Sequence, residues 1–381
     1  MKRFSSCLAC LFVLSFCDTV EAQMNTSPFE LAEIFRIGDE SRGDSIFFRD
    51  HEDAQLAVNS SNDLFVGGWD EVPVLSFSDE GKLIGFVGAE GEVPGEFKSS
   101  SSVVVGPGDS IYVFDPRLNR LSVFAPQTLR YSHSVHTVDA SASISTPRKL
   151  LGVVKGGYLF QYRAPYRPPG SDLGGYDPDE SRFDFVNLID RHGRMTGMTI
   201  AKLPSGERLV KTSQSRGGSS IAVMPLPFGR DPFFVLKNSN VYAGWNDAID
   251  VAVISEKGEP VRTIRFAHEA SPVTRRDIEG IVKDASRRVR RWVLESESIP
   301  ETKPAYDALV VDDQGRLWIR EYPDTEAEFA KWLIVNSDGE LVGAMELPEN
   351  LLLKTIKAGR AYASVYSETY GPYIVVYAIT E

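Results

Sequence analysis

Val103 to Phe124 reads VVVGPGDSIYVFDPRLNRLSVF. Three short runs, Val103–Val105, Ile111–Phe114 and Leu121–Phe124, are built almost wholly from β-branched, aromatic and other apolar residues. Gly106-Pro-Gly-Asp109 separates the first two runs, and Asp115-Pro-Arg-Leu-Asn-Arg120 separates the second two. Such runs, bounded by Gly, Pro, Asn and Asp, are strands joined by tight links. The middle run recurs. Six rows start at Leu64, Ile111, Tyr158, Val241, Leu317 and Ala361, and each puts a large side chain second: Phe65, Tyr112, Leu159, Tyr242, Trp318 and Tyr362. A unit of about 45 residues with two longer insertions accounts for these starts. That length suits a four-stranded propeller blade.

Four rows continue into an apolar strand, a polar turn closed by glycine, and another strand. The turns are Ser78–Gly81, Asp190–Gly193, Ser255–Gly258 and Asn336–Gly339. Glycine in the last place supplies the positive φ that a type I turn with a bulge needs. A lone four-stranded sheet cannot bury both its faces, whereas six arranged radially can. The pattern therefore predicts an all-β, six-bladed β-propeller over residues 23–381, as one domain. Phe29–Ile37 is a strand with no partner in its own blade, and the last row has only three strands. The N-terminal strand is expected to complete the sixth blade and close the ring, which removes open sheet edges.

Gly88–Phe97 (GAEGEVPGEF), followed by the stretch through Phe124, resembles the NHL repeat. The shared features are a glycine-rich lead ending in Gly-x-Phe, then strand, turn, "IYVFD" and "NRLSVF". The whole chain looks like a bacterial secreted six-bladed propeller of the NHL/TolB-like type. The third, fourth and sixth rows depart from the motif, and for them the resemblance implies architecture alone.

Residues 1–22 read as a secretory signal peptide. Lys2 and Arg3 form a basic start, Leu8–Phe16 an apolar run too short to span a bilayer, and Val20-Glu-Ala22 a small-residue cleavage site. Cys7, Cys10 and Cys17 all fall in that segment. The processed chain is then free of cysteine, which excludes disulfides, thiol nucleophiles and cysteine metal sites. The signal carries two cations and two carboxylates, so the mature chain keeps the formal net charge of -12. That charge disfavours nucleic-acid binding, and no later stretch reaches membrane-spanning length. A periplasmic or extracellular location is expected.

Both insertions fall in links on one face of the expected ring. Arg163–Arg182 is rich in Pro, Gly and Asp and reads as a loop. The second, at 271–304 between blades four and five, reads as a helical insertion. Thr274-Arg-Arg-Asp277 forms a capping box with Asp in place of Glu. Ile278, Ile281, Val282, Ala285, Val289, Trp292 and Val293 then line one helical face, expected to pack on the propeller. Arg275, Arg276, Lys283, Arg287, Arg288, Arg290 and Arg291 occupy the other. That face is either solvated or a lid that draws an anionic ligand.

The link residues supply the candidate ligand-binding set. It comprises Trp69, Asp70, Asp115, Arg163, Tyr166, Arg167, Trp245, Asn246, Arg320, Glu321, Tyr322 and Tyr366. Aromatic rings mixed with arginines and carboxylates suit recognition of a protein, peptide or glycan. No nucleophile elbow, phosphate loop or H-E-x-x-H helix is present. His133 and His136 lie on an outer strand at a spacing that sends them to opposite faces. The expected function is thus a non-catalytic binding propeller without a cofactor. The alternative, implied by the resemblance, is a calcium-dependent hydrolase or lyase at the channel mouth. Asp70, Asp115, Asn246, Asp247 and Glu321 would supply its oxygen ligands.

Overall fold

The computed structural model describes residues 29–39, 46, 48, 54–68, 73–137, 147–163, 183–215, 218–369 and 371–380. The expected signal peptide and most of the Arg163–Arg182 loop lie outside the described residues.

The chain opens with β1 (Glu30–Ile37). Blade one is β2 (Gln55–Val58), β3 (Leu64–Gly67), β4 (Val74–Phe77) and β5 (Leu83–Val87). A two-residue parallel pair, β6 (Ala89–Glu90) with β7 (Glu96–Phe97), leads to blade two. That blade is β8 (Ser102–Val105), β9 (Ile111–Asp115), β10 (Arg120–Phe124) and β11 (Tyr131–His136). Blade three is β12 (Pro147–Val154), β13 (Gly157–Arg163), β14 (Phe183–Ile189) and β15 (Met195–Pro204). A separate hairpin follows, β16 (Arg208–Ser215) and β17 (Gly218–Pro225). Blade four is β18 (Pro232–Lys237), β19 (Asn240–Trp245), β20 (Ile249–Ser255) and β21 (Pro260–Phe266). Two short helices come next, α1 (Arg275–Ile281) and α2 (Arg287–Leu294). Blade five is β22 (Tyr306–Val311), β23 (Leu317–Glu321), β24 (Phe329–Val335) and β25 (Leu341–Pro348). Blade six is β26 (Leu351–Lys357), β27 (Arg360–Ser367) and β28 (Gly371–Thr380), completed by β1.

Each blade is an antiparallel sheet; strand order follows chain order in blades one to five, and in blade six β1 lies outside β28. The innermost strands touch in a closed cycle: β2, β8, β12, β18, β22, β26 and back to β2. The N-terminal strand closes the ring as expected, running antiparallel to β28 from Glu30 opposite Thr380 to Ile37 opposite Ile374.

The packing explains the recurring rows. Six apolar clusters fill the six gaps between consecutive blades. Side chains alternate across a strand, so each second strand sends neighbours to opposite gaps. Leu64 and Val66 face blade six, and Phe65 faces blade two. All six large column residues point to the next blade along the chain. Both faces are buried, so the rows are continuously apolar rather than alternating. Burial of each large side chain contributes about 1.5–3 kcal/mol.

The four glycine-closed turns adopt the expected geometry. Gly81, Gly193, Gly258 and Gly339 have φ of 83°, 86°, 81° and 90°. Each donates its N–H to the carbonyl three residues earlier, at 2.9 to 3.1 Å. The sheet register slips beside each turn, as a bulge requires.

Two expectations need correction. The extra length between the third and fourth rows does not all belong to Arg163–Arg182, because the β16–β17 hairpin takes up part of it. The helical segment is also not one continuous face. Val282 caps the end of α1, and Ser286 opens α2 by accepting the Val289 N–H. The break turns Ile281 outward, 46% exposed. Ile278, Val282, Ala285, Val289, Trp292 and Val293 pack instead on Leu209 and Met224 of the hairpin and on Leu226 just after it. Hairpin and helices thus share a small core of their own.

Candidate functional site

The six inner strands surround a central lumen with two sections of about 520 and 500 Å³. Gln55, Lys149 and Lys354 line both, while Leu56, Phe234 and Leu309 border them with side chains buried in the gaps between blades. The larger section opens toward the links between second and third strands and adds Gln161, Asp307 and Arg320. The other section, toward the first hairpins, adds Lys237, Asp313 and Lys357. That end is knit across. Lys237 Nζ donates to the Ile356 carbonyl of blade six at 3.2 Å, and Lys357 Nζ to the Val58 carbonyl of blade one at 2.9 Å. Burial lowers the Lys237 pKa. Both sections open to solvent, and the one beside the links between second and third strands is the mouth on the side of the helical segment.

Irregular inner strands bring charge into the lumen. β22 slips register at Asp307, and β26 slips at Lys354. β12 slips on both sides of the Lys149–Leu150 pair. Bulges of this kind re-aim side chains. Sequence reasoning missed all three residues. A charged residue at the start of or inside an apolar run (Lys149 before LLGVV, Lys354 in LLLKTI, Asp307 in YDALVV) is the only signal, and it does not show on which side of a slip the side chain falls.

Among the sequence-predicted residues, three hold links together. Asp115, 2% exposed, accepts from the backbone N–H groups of Lys98, Ser99, Arg117 and Leu118. Asn246, 4% exposed, accepts the Asp231 N–H and donates to the Tyr306 carbonyl, each at 2.8 Å, which ties blade four to blade five. Arg320 pairs with Asp307 at 3.0 Å and donates to the Glu349 carbonyl at 2.6 Å. The oxygens of Asp115 and the Asn246 carbonyl are thus engaged by backbone N–H groups. Glu321 lies between His268 and Lys331, at 3.5 and 3.1 Å. Asp247 pairs with Arg230 at 2.9 Å. Tyr322 packs on Phe228, and burial pushes its phenol up to about 12. Arg163 is half exposed and reaches the fully buried Asp184 at 3.5 Å. Trp245 is half-buried, and Tyr366 is exposed at the end of β27. Trp69, Asp70, Tyr166 and Arg167 lie outside the described residues. Among the described members of the predicted set, Arg320 alone lines the lumen. Among the described residues no group of three or more His, Cys, Asp or Glu side chains is placed to hold a metal ion.

The unit formed by β16, β17, α1 and α2 is anchored at the mouth side. Arg230, at the start of blade four, donates to the Thr302 carbonyl at 2.7 Å and to its hydroxyl at 2.8 Å. Lys303 joins Asp277 of α1 to Asp324 in the link after β23, at 2.9 and 2.8 Å. Burial works against ionisation of Asp277. Hydrogen bonds from Thr274, Thr325 and Lys303 outweigh it and hold the carboxyl far below the usual range. Burial also opposes the Lys303 charge, but Asp324 and Asp277 outweigh it and raise its pKa.

The two shifts define a pH window. Asp277 contributes stability above its unfolded pKa of about 3.9, lost as pH falls through the lower folded value. Lys303 contributes below about 10.4, lost as pH rises through the higher folded value. Docking is therefore complete from about pH 4 to pH 10. Asp277 and Lys303 are covered by their immediate partners, but Asp324 is 76% exposed and the cluster is shallow. Its contribution is about 1–2 kcal/mol rather than that of a deep ion pair. Lys303→Met is expected to speed amide exchange in α1, α2, β16 and β17 while leaving the blades protected. Unchanged exchange in those elements would show that the cluster does not dock them.

No protein family matches the chain, and no curated protein matches it. Solved structures do. A candidate exported protein of Bacteroides fragilis is similar with a TM-score of 0.53 and 11% identity, over 93% of this chain and 96% of that one. A member of the DUF4221 family from Bacteroides vulgatus is similar with a TM-score of 0.51 and 10% identity, over 93% and 99%. The fold is a six-bladed β-propeller. A gluconolactonase from Xanthomonas campestris is similar more loosely, with a TM-score of 0.43 and 12% identity over 93% and 96%, and carries no argument about chemistry. Likeness at these identities speaks to the fold alone.

Proposed function

We propose that this chain is a non-catalytic binding propeller of the NHL/TolB-like type, acting in the cell envelope or exterior. Its ligand, part of a protein, peptide or glycan, enters at the lumen mouth on the face that carries the helical insertion. The carrying observation is the mouth section of about 520 Å³, to which five of the six blades contribute. Its charged and amide side chains, Gln55, Lys149, Gln161, Asp307, Arg320 and Lys354, converge on one concave space and suit a polar ligand. The secretory features of residues 1–22 support the location.

The helical insertion adds a positive surface. Arg275, Arg276 and Arg291 pair with Glu279, Glu326 and Glu295. Arg287, Arg288 and Arg290 are exposed and make no ion pair among the described residues. On a chain of net charge -12 they draw anionic partners toward this face.

The test is a thermal melt of residues 23–381 in EDTA and then in millimolar calcium, followed by glycan and peptide arrays. The binding reading expects no calcium shift and a saturable array ligand. A calcium site at a hundred times its dissociation constant adds about 2.7 kcal/mol. For a chain of this length that raises Tm by roughly 3–4 °C. A rise of that size would replace the binding reading with the calcium-dependent hydrolase or lyase.

A further inference from the structure

Lys149 is placed unlike the other lumen cations. Its ammonium has three N–H groups to satisfy, yet it makes no hydrogen bond or ion pair among the described residues. Its side chain is open to lumen water and at the same time enclosed by the ring. The enclosure sets the cost of its charge and lowers its pKa. The other charges facing the lumen are differently occupied. Lys237 and Lys357 donate to backbone carbonyls. Arg320 pairs with Asp307 at 3.0 Å, and Asp313 accepts the Ala358 N–H at 2.9 Å. Neither carboxylate is joined to Lys149.

The lumen as a whole is cationic. Lys149, Lys237, Lys354, Lys357 and Arg320 line it, against Asp307 and Asp313. This surplus runs against the net charge of -12, so composition does not produce it. A concave site walled by protein focuses such a field. Sections of about 500 Å³ admit a small molecule.

We infer that the lumen binds a compact polyanion, carrying two or more carboxylate or phosphate groups, with Lys149 as its principal contact. The inference rests on the binding reading above and names the chemistry of its ligand, which is either free or the acidic end of a larger partner. The polyanion supplies acceptors to Lys149, and the Gln55 amide and the Lys354 ammonium line the same space. Protonated lysine is the binding form, so affinity falls as pH rises through the titration of Lys149.

The experiment is isothermal titration of residues 23–381 at neutral pH with tricarballylate and with pyrophosphate. The expected result is one site per chain for at least one probe. Lys149→Met keeps the apolar stem and is expected to weaken binding by roughly tenfold or more. Lys149→Arg is expected to retain it. A triple Arg287→Gln, Arg288→Gln, Arg290→Gln variant is expected to bind as the parent does. Binding lost in the triple variant and kept in Lys149→Met would move the site to the helices and overturn the inference. No saturable binding of either probe at millimolar concentration would also overturn it. An array ligand that binds Lys149→Met as tightly as the parent would sink the lumen inference while leaving the binding reading intact. Failure of the array with success of the titration would do the reverse for the macromolecular partner.

Discussion

A chain that starts at Gly38 is expected to lose its cooperative fold. β1 is the outer strand of blade six, and it is the one strand contributed from the opposite end of the sequence. Phe29, just before it, is 7% exposed, packs edge-on against Trp318 of blade five at 5.7 Å, and lies under Arg316. Ile37, at its other end, is 3% exposed in the gap to blade one. Losing these two side chains alone removes roughly 3–6 kcal/mol of burial. The β1–β28 hydrogen bonds add about 0.5–1.5 kcal/mol each. A domain holds about 5–15 kcal/mol in all, so little remains. The deletion also bares β28 as an edge ready to pair with other chains. Urea titration by circular dichroism is expected to show no cooperative transition, and a peptide of residues 23–38 is expected to restore one. A truncated chain that melts at the parent temperature would show that the ring does not depend on this closure.

Asp312→Ala is expected to destabilise the fold more than any single substitution in the lumen. The carboxylate is fully buried after β22 and accepts four hydrogen bonds. They come from the Gln314 and Arg316 N–H groups at 3.0 and 2.8 Å, from Arg316 Nε at 2.6 Å, and from the Trp318 indole at 3.1 Å. Alanine removes the carboxylate from beside Arg316 and leaves the indole N–H without an acceptor. Breaking a buried ion pair on one side costs about 3–5 kcal/mol. Trp318 is the large column residue of blade five and also the contact of Phe29, so the damage spreads to the closure of blade six. The expected readout is a fall in the urea midpoint with an unchanged slope. A loss below about 1 kcal/mol would mean that water replaces the carboxylate without penalty.

The blades were readable because their determinants are local and repeated. Every second strand carries a large residue in the same place, and four hairpins end in a glycine that needs positive φ. The closing strand was readable because a strand without a partner at one terminus matched a blade short of one at the other. The β16–β17 hairpin was harder to see. Among its described side chains only Leu209 is buried, and its apolar partners come from the helices some seventy residues later. The helix break has a similar cause, since Ser286 is an N-cap only because the chain turns there.

The candidate site was readable only in outline. Aromatic and charged residues at link positions pointed to the links between second and third strands, beside which Arg320 lines the lumen. Asp115, Asn246 and Arg320 nevertheless spend their hydrogen bonds on the links themselves, because buried backbone groups in those links need partners. A sequence lists polar residues without saying whether backbone or solvent will claim them.

By itself the sequence determined the number of blades, the strands within them, the turns and the way the ring closes. Each follows from side-chain period, glycine conformation and the need to bury both faces of a sheet. The lumen was decided by tertiary structure alone. Register slips in β12, β22 and β26 choose which residues turn inward, and a slip depends on the neighbouring strand rather than on the residue that it moves. Lys149 faces the lumen, with no partner among the described residues, because six strands distant in sequence meet around it.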